Sequence, residues 1–529
     1  MFVKPGTRVK FLEATPYVLS LLFVGLPLLI ASRPMWDGVI TSYAAETGNF
    51  AGLRYIADSA GLGLSVGLAE FLIGLGEFTG LGFHLVNDLA SIASLLLLVC
   101  EVRLFARNIF RLPLPWAVLS ASLVAVFPIW STLLSSIVTY YILALALGFL
   151  AVRLIHQSNK VVQLIGLVAA LVSFGFSSML VLLPILSFTA DILKNEDHQK
   201  GRLCLPSGQT WILFSSSMIF YLGQRTFSTP SGAYAGYNSL LNPFKLNSYH
   251  EVVLGIVNFS SYLLLPGAGI SIAVLLLSLS NRRSFVSVQN KLDVSRSRAI
   301  VVIVVASIFP YLAVGASSSL RPFDWSQRHA FVLAPAIAFF TAILLLSLFA
   351  PALKANLKVK RIAALSIGAV LVLQVGFLAV GFVSKINHQI FENDLEQLLA
   401  NLSPRPPEGV LQIAVEGMPW RTVFFDYDAN YLLYTATNSA GYYTRIAADL
   451  DPNFGVPDMF TSGSVPTSFY VYEDKGSLCT TEIFVSTTGY SGYRSAISNV
   501  VGIGGNPTMK MTGYSSDCLG ERKFVVFRN

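Results

Sequence analysis

Charged residues are scarce in this chain. They make up 12% of its 529 residues, whereas soluble domains carry about 25%. Hydrophobic residues reach 54%, and the mean hydropathy is +0.63. Such a chain cannot cover a large water-facing surface with polar side chains, so the composition excludes a soluble multidomain enzyme and indicates a membrane protein.

Several chemical signatures are also missing. The sequence has four cysteines, and it shows no Cys/His cluster with zinc spacing, no phosphate-binding glycine loop and no catalytic-serine elbow. We therefore predict no metal site and no cofactor, while leaving a divalent cation open. The pI is basic, but the basic residues lie between apolar runs rather than on one face, so nucleic acid is not an expected partner.

What the chain does have is long apolar runs. A membrane span needs about 20 mostly apolar residues. The first such run, Thr15–Ser32, follows a basic flank and has no clear cleavage site after it, so we predict an uncleaved span rather than a signal peptide. Further runs are centred on 83–101, 114–131, 137–153, 162–176, 177–190, 209–223, 252–280, 299–316, 329–350 and 362–384. The expected membrane module, residues 1–384, thus has about eleven spans.

Basic residues test this topology. With a cytoplasmic N-terminus and one crossing per run, about 20 basic residues lie inside and about 6 outside. Counting Gly61–Leu75 as another span would invert every later loop, so we interpret 33–81 as one external loop with short interfacial helices. The protein is predicted to be a multi-pass protein of a bacterial inner (plasma) membrane, with its C-terminal part extracytoplasmic.

That C-terminal part, residues 385–529, has the size of one domain and an acidic balance of roughly 10 basic to 15 acidic residues. Alternating patterns predict strands, and helical spacing over Asn387–Leu402 predicts a helix that links them to the last span. The predicted strands are Thr422–Tyr427, Tyr431–Thr437, Ser468–Tyr472, Glu482–Ser486 and Lys523–Phe527. The expected fold class is therefore an α-helical polytopic membrane protein with a β-rich α+β extracytoplasmic domain.

Two cysteines, Cys479 and Cys518, lie in this C-terminal part. On the outer side of the membrane an oxidising compartment allows them to pair, so we predict a disulfide. The alternative is two unpaired thiols far apart in the fold.

The few charges on the outer side are the candidates for function, because ionisable groups at the membrane boundary usually face a cavity or a partner. Asp37 lies a few residues beyond the first span, beside the interfacial Trp36. In isolation the simpler interpretation is that Asp37 is solvated or caps the next helix. The basic candidates all lie near aromatic residues. Together with the nearby acids and tyrosines, the candidate set is Arg54, Arg225, Arg321, Arg328, His329, Glu46, Asp58, Asp88, Asp324, Tyr234 and Tyr237.

Arginine binds phosphate oxygens in a bidentate manner, and aromatic rings pack on sugar faces or lipid chains. A basic, aromatic outer cavity with one or two carboxylates therefore fits a lipid-linked phosphate that carries a sugar. Interfacial snorkelling, with Asp324 and Arg328 as a simple i, i+4 ion pair, is the alternative reading of the same residues.

The layout resembles the GT-C class of integral-membrane glycosyltransferases, which use polyprenyl-phosphate sugars. The similarity lies in a first span, a long outer loop with an acidic residue near its start (Trp36-Asp37-Gly38), a bundle of about eleven spans and an extracytoplasmic C-terminal domain. The resemblance implies that Asp37 is a general base and that Arg54, Arg225, Arg321 and Arg328 are phosphate-binding candidates. Among subgroups, enzymes that decorate O-antigen or other surface polysaccharides are the most similar.

This sequence departs from the paired acidic motif of several members, since Gly38 follows Asp37. Whether Asp37 acts alone or with Glu46, Asp58 or Asp324 stays open, as do the glycan or lipid-linked acceptor and the oligomeric state. The main alternative function is a transporter or flippase of lipid-linked saccharides, although no internal repeat is apparent. A lipid phosphotransferase and a scaffold are further alternatives.

Overall fold

The protein is described by a computed structural model. The residues it describes are 5–31, 38–195, 205–227, 331–353, 357–419, 426–451, 471–472, 479–502, 507–518 and 521–526.

The N-terminal part of the chain is helical. Its helices are α1 (Pro5–Ser20), α2 (Leu26–Ile30), α3 (Gly38–Thr47), α4 (Ala51–Ala60), α5 (Gly63–Thr79), α6 (Phe83–Asn108), α7 (Leu114–Ala125), α8 (Thr139–Ile155), α9 (Lys160–Phe174), α10 (Met179–Asn195), α11 (Gly208–Phe227), α12 (Leu333–Leu353) and α13 (Leu357–Ala400). A π-helical turn joins α1 to α2, and a 3-10 segment, 128–138, joins α7 to α8.

The predicted apolar runs are helices wherever the structure describes them. Within the described part of the chain, three helical stretches are long and apolar enough to cross a membrane: Leu12–Ile30, Phe83–Asn108 and Ile367–Ala400. A fourth candidate is the pair Leu114–Ala125 and Pro128–Leu134, bent by 44°. The remaining apolar helices are shorter, and the runs at 252–280 and 299–316 lie outside the described residues. A polytopic apolar bundle is thus present, and the count of eleven spans stays a prediction.

Hydrogen bonds between α6 and α8 show the relative direction of these two helices. Near the start of both helices, Thr139 of α8 donates a hydrogen bond to Asn87 of α6 at 2.8 Å. Near their ends, Arg153 binds Glu101 with two hydrogen bonds of 2.7 Å. Helices α6 and α8 are therefore parallel, as expected for spans separated by one crossing. Which end of the bundle faces the cytoplasm stays a prediction.

Residues 38–79 of the predicted first loop form α3, α4 and α5. Helices α4 and α5 each end at a glycine with positive φ, Gly61 at 70° and Gly80 at 69°, a backbone conformation that favours residues without a Cβ. Three short helices are therefore inserted between the first long helix and α6.

The C-terminal part contains a five-stranded sheet. Its elements are β1 (Gly409–Glu416), α14 (Asp426–Thr437), β2 (Tyr442–Ala447), β3 (Cys479–Thr488), α15 (Tyr493–Val501), β4 (Thr508–Cys518) and β5 (Glu521–Val526). The strand order is β2-β1-β3-β4-β5. Strand β1 pairs in parallel with β2 and β3, and β4 is antiparallel to β3 and β5.

The predicted strands Glu482–Ser486 and Lys523–Phe527 coincide with β3 and β5 where they are described. The strand predicted at Tyr431–Thr437 is wrong, because these residues belong to α14. The side chains that α14 contributes to the apolar core next to the sheet follow an i, i+3, i+4, i+7 pattern, which is helical; they are Ala429, Leu432, Leu433 and Ala436.

Two other predicted strands lie mostly outside the described residues. The described end of Thr422–Tyr427 starts α14 instead of a strand. The described end of Ser468–Tyr472 includes Val471, whose φ is 53°, and it is not in a strand. Strands β1, β2 and β4 were not predicted.

The apolar core is divided in two. One cluster fills the helix bundle, and the other lies between the sheet and the helices α13 and α14. Helix α13 belongs to both: Phe382 packs in the first cluster and Phe391 in the second. The predicted boundary between residues 384 and 385 therefore falls inside one continuous helix.

Candidate functional site

One end of the bundle collects the residues of interest, and we call it the α3 end. The first long helix ends here, α3 begins here, and both α6 and α8 start here. Helix α11 also ends here, since Gln224 donates a hydrogen bond of 2.9 Å to the carbonyl of Gly61. The first-loop helices and four helix ends of the bundle thus meet at one place.

Helix α3 starts in the interior at this end. A Cβ added to Gly38 would lie 3.0 Å from the backbone nitrogen of Ser136 and 3.2 Å from its hydroxyl. The backbone of α3 therefore approaches the 3-10 segment more closely than a larger residue would permit. Gly38 directly follows Asp37 in the sequence. The residue after the candidate base therefore makes a buried contact with the polar residue Ser136.

Buried hydroxyl groups surround this contact. Within the described part of the chain, the side-chain oxygens of Thr41, Ser65, Ser135 and Ser136 are buried and form no hydrogen bond with the protein. A buried polar atom without a partner costs free energy, and native structures contain few of them. Ser65 belongs to α5, which also contacts the 3-10 segment. The α3 end therefore offers several hydroxyl groups that can bind a polar ligand.

A buried cation lies beside these hydroxyls. Lys385, near the middle of α13, is 3% exposed, and its Nζ lies 3.2 Å from the hydroxyl oxygen of Ser131. Lys385 was not predicted from the sequence, because it directly follows the apolar run 362–384 and was assigned to the soluble part. The available signal was an ionisable side chain that ends the apolar run 362–384, a position where charges are expensive.

A second polar network lies at the start of α6. The hydroxyl of Thr139 lies 2.6 Å from that of Ser91 and also binds Asn87. The predicted candidate Asp88 follows Asn87 and is half-buried. Because Thr139, Ser91 and Asn87 bind one another, these polar side chains are tolerated near the start of an apolar helix.

The C-terminal domain covers α3 from the other side. The hydroxyl of Tyr431 in α14 donates a hydrogen bond of 2.6 Å to Glu46, and the rings of Tyr43 and Tyr434 meet edge to face at 5.1 Å. Burial, and after it the nearby charge of Glu46, raises the pKa of Tyr434. The predicted candidate Glu46 is thus a contact between the two parts of the molecule.

Three other predicted residues are described. Arg54 and Asp58 are exposed on α4, and Arg225 follows Gln224 near the end of α11. The rest lie outside the described residues, so their roles stay predictions; they are Asp37, Tyr234, Tyr237, Arg321, Asp324, Arg328 and His329. The structure therefore places Glu46, Asp88 and the backbone of Arg225 at the α3 end.

The predicted disulfide is present. Cys479 and Cys518 are bonded, with their Cα atoms 4.2 Å apart, and they are register partners at the start of β3 and the end of β4. No group of three or more His, Cys, Asp or Glu side chains that could hold a metal ion occurs among the described residues.

No protein-family model and no curated protein matches this chain. Among solved structures it is similar to ArnT from Cupriavidus metallidurans bound to undecaprenyl phosphate, with a TM-score of 0.42, 11% identity and coverage of 91% of this chain and 93% of that one.

It is also similar to the oligosaccharyltransferase of Archaeoglobus fulgidus in complex with zinc and sulfate, with a TM-score of 0.33 and 13% identity. That match covers 78% of this chain and 59% of the other. This chain is therefore similar to one protein that was solved with a polyprenyl phosphate and to a second protein that is an oligosaccharyltransferase.

Proposed function

We propose that the protein is a membrane glycosyltransferase that moves a sugar from a polyprenyl-phosphate donor to a glycan or lipid-linked acceptor on the extracytoplasmic face, with inversion at the anomeric carbon. The observation that carries the proposal is the burial of α3, which starts one residue after Asp37, against a polar cluster that includes a buried lysine. The resemblance to the GT-C class supports it.

In the proposed reaction a hydroxyl of the acceptor sugar donates a hydrogen bond to Asp37. The carboxylate takes this proton while the oxygen attacks the anomeric carbon of the donor, and the bond to the lipid phosphate breaks. The phosphate leaves with both electrons of that bond. Because it is already a good leaving group, the protein needs only to neutralise its developing charge.

The α3 end carries positive charge that can neutralise the leaving lipid phosphate. We assign Lys385 to the phosphate, since its ammonium group is already removed from bulk water and lies beside the Ser131 hydroxyl. Arg225 and Arg54 are further candidates, because α11 ends against the turn between α4 and α5. The proposed lipid partner enters from the membrane, and the reaction takes place in the bacterial inner membrane.

The test uses full-length protein in proteoliposomes with a radiolabelled polyprenyl-phosphate sugar and a glycan acceptor. A transferase moves the label covalently to the glycan. A flippase moves the labelled lipid between leaflets without forming a new bond, and this second result would contradict the proposal.

The assignment of Lys385 is tested in the same assay. Lys385→Met is expected to lower the transfer rate by about a hundredfold, in the range seen when one charge-stabilising group is removed, and Lys385→Arg is expected to restore part of it. The control is Lys160→Met, which removes an exposed cation at the start of α9. Equal rates for Lys385→Met and the control would refute the role of Lys385.

A further inference from the structure

The sheet of the C-terminal domain contains a switch in the direction of its connections. From β1 the chain passes through α14 to β2 on one side, while β3 lies on the other side of β1 and leads through α15 to β4. In parallel sheets, ligands bind outside the carboxyl ends of the strands at such a point, because the two connections leave in opposite directions and a crevice opens between them.

A cleft of about 790 Å³ occupies this position, and we call it the β1–β3 cleft. It is lined by the ends of β1 and β3 and by the residues after β2, among them Glu416, Asp449, Phe484 and Ser486. Its size lies within the range of about 300–1,000 Å³ that small-ligand sites occupy.

The polar wall of the cleft is preorganised. The hydroxyl of Thr487 donates to the carbonyl oxygens of Glu416 and Gly417 at 3.0 and 2.7 Å, and Gly417 has a φ of 85°. A Cβ on Gly417 would lie 2.8 Å from the carbonyl oxygen of Thr487, so glycine is needed there. The Ser486 hydroxyl donates to the Glu416 carboxylate at 3.3 Å.

The apolar wall contains an aromatic ring. Phe484 is 49% exposed and is paired in the sheet with Ala414, whose small side chain leaves the ring face uncovered on that side. Alternate residues of β3 point to opposite faces; Ile483 and Val485 are in the core, so Phe484 points away from it. Phe484 can contact an apolar face of a ligand, while the nearby carboxylates of Glu416 and Asp449 can accept hydrogen bonds from its polar groups.

The cleft opens at the carboxyl edge of the sheet, and this edge lies towards the membrane module. Strands β1 and β3 are parallel, so their carboxyl ends lie at the same edge. Just beyond β3, the carbonyl of Tyr490 accepts a hydrogen bond of 3.2 Å from Asn387. Asn387 is two residues from Lys385, or about 3 Å along the axis of a helix. The carboxyl end of β3 therefore lies next to the α3 end.

We infer that the β1–β3 cleft binds the acceptor saccharide, with sugar hydroxyls donating hydrogen bonds to Glu416 and Asp449 and the ring face on Phe484. This inference rests on the proposed transferase function. Among the described residues that line the cleft no side chain is basic. The two carboxylates repel the anionic lipid phosphate and accept hydrogen bonds from a neutral polyol. Donor and acceptor thus occupy separate sites on adjoining parts of the molecule.

The binding test uses full-length protein in nanodiscs and saturation-transfer NMR with methyl glycosides of glucose, galactose, mannose and N-acetylglucosamine. At least one glycoside is expected to receive saturation, and Phe484→Ala and Glu416→Gln are each expected to weaken its binding by about tenfold. The matched controls are Val501→Ala, an exposed apolar side chain on α15, and Glu521→Gln at the opposite end of the sheet. Binding that survives both cleft variants, or the absence of binding by every glycoside, would overturn the inference.

A second measurement separates this inference from the proposed function. In the label-transfer assay, the cleft variants are expected to raise KM for the acceptor by about tenfold while the affinity for the polyprenyl-phosphate donor stays as in the wild type. Absence of any transfer by the wild-type protein would refute the proposed function and leave the glycoside result to decide on the cleft. Normal transfer with an unchanged acceptor KM in the variants would refute the cleft alone.

Discussion

Single residues join the two parts of the molecule at α3. Glu46 was predicted from the sequence as a possible second acid, and the structure shows that Tyr431 of the C-terminal domain binds its carboxylate. No sequence pattern could reveal this contact, because the two residues are 385 positions apart and neither lies in a recognisable motif. The composition of the first loop could be used to select Glu46, but not to identify its partner.

The contact between Tyr431 and Glu46 is open to a double-mutant cycle. Tyr431→Phe and Glu46→Gln are each expected to lower the free energy of unfolding by about 1 kcal/mol, because each removes or weakens one hydrogen bond. The double variant should lose less than the sum, since both changes affect the same bond. Unfolding in SDS, followed by circular dichroism, gives these values; fully additive losses would contradict a direct bond in solution.

At the scale of elements, apolar run length predicted the helices well, because a span must pair all of its backbone polar groups internally. The pattern failed where a short amphipathic segment could be either helix or strand. At 431–437 the aromatic and β-branched residues favoured a strand, but Asp426 and Asp428 lie in the first turn of α14, where carboxylates favour a helix. Register and pairing between elements, such as the parallel arrangement of α6 and α8, depend on contacts that a single sequence does not display.

The pairing of α6 with α8 depends on the buried ion pair between Glu101 and Arg153. The Glu101 side chain is 4% exposed, and its carboxylate binds Arg153 at 2.7 Å. Glu101→Gln leaves the partly buried Arg153 guanidinium without its counter-charge and is expected to cost about 3 kcal/mol, seen as a lower melting temperature in detergent.

The control for this prediction is Arg107→Gln. Arg107 lies 3.8 Å from Glu13, and its side chain is 55% exposed, so its loss should cost at most about 1 kcal/mol. Equal melting temperatures for Glu101→Gln and Arg107→Gln would show that the Glu101–Arg153 pair does not stabilise the bundle.

On the scale of the whole molecule, the sequence predicted the order of the parts: a helical membrane module, then a domain with a sheet. It did not predict that α13 runs without a break from one part into the other, since the apolar pattern of the span and the amphipathic pattern of Asn387–Leu402 looked like two elements. One continuous helix fixes the domain on the bundle and brings Lys385 and Asn387 within one turn. The carboxyl end of β3, where the β1–β3 cleft opens, is thereby held next to the α3 end by the hydrogen bond between Asn387 and Tyr490.

The disulfide tests the predicted side of the membrane. If the C-terminal domain is extracytoplasmic, maleimide labelling of the denatured protein should modify two thiols without reductant and four after reduction. Replacing both Cys479 and Cys518 with serine should lower the stability of the domain by about 4 kcal/mol, because the bond closes a loop with a sequence separation of 39 residues.

Cys100→Ser is the control for the disulfide variants, since Cys100 is a free cysteine in α6; it should leave the melting temperature of the C-terminal domain near that of the wild type. Four modified thiols in protein prepared without reductant would contradict the extracytoplasmic location.

Asp37 is the proposed general base, and in the sequence it stands between the first long helix and the start of α3. The most direct measurement is the initial rate of covalent label transfer by Asp37→Asn in proteoliposomes, with Glu77→Gln as the control because it removes an exposed carboxylate of α5. We predict that the Asp37→Asn rate falls at least about a hundredfold, as expected for loss of a general base, while donor binding and protein level match those of the control. An unchanged transfer rate at normal protein level would contradict the assignment of Asp37 as the base.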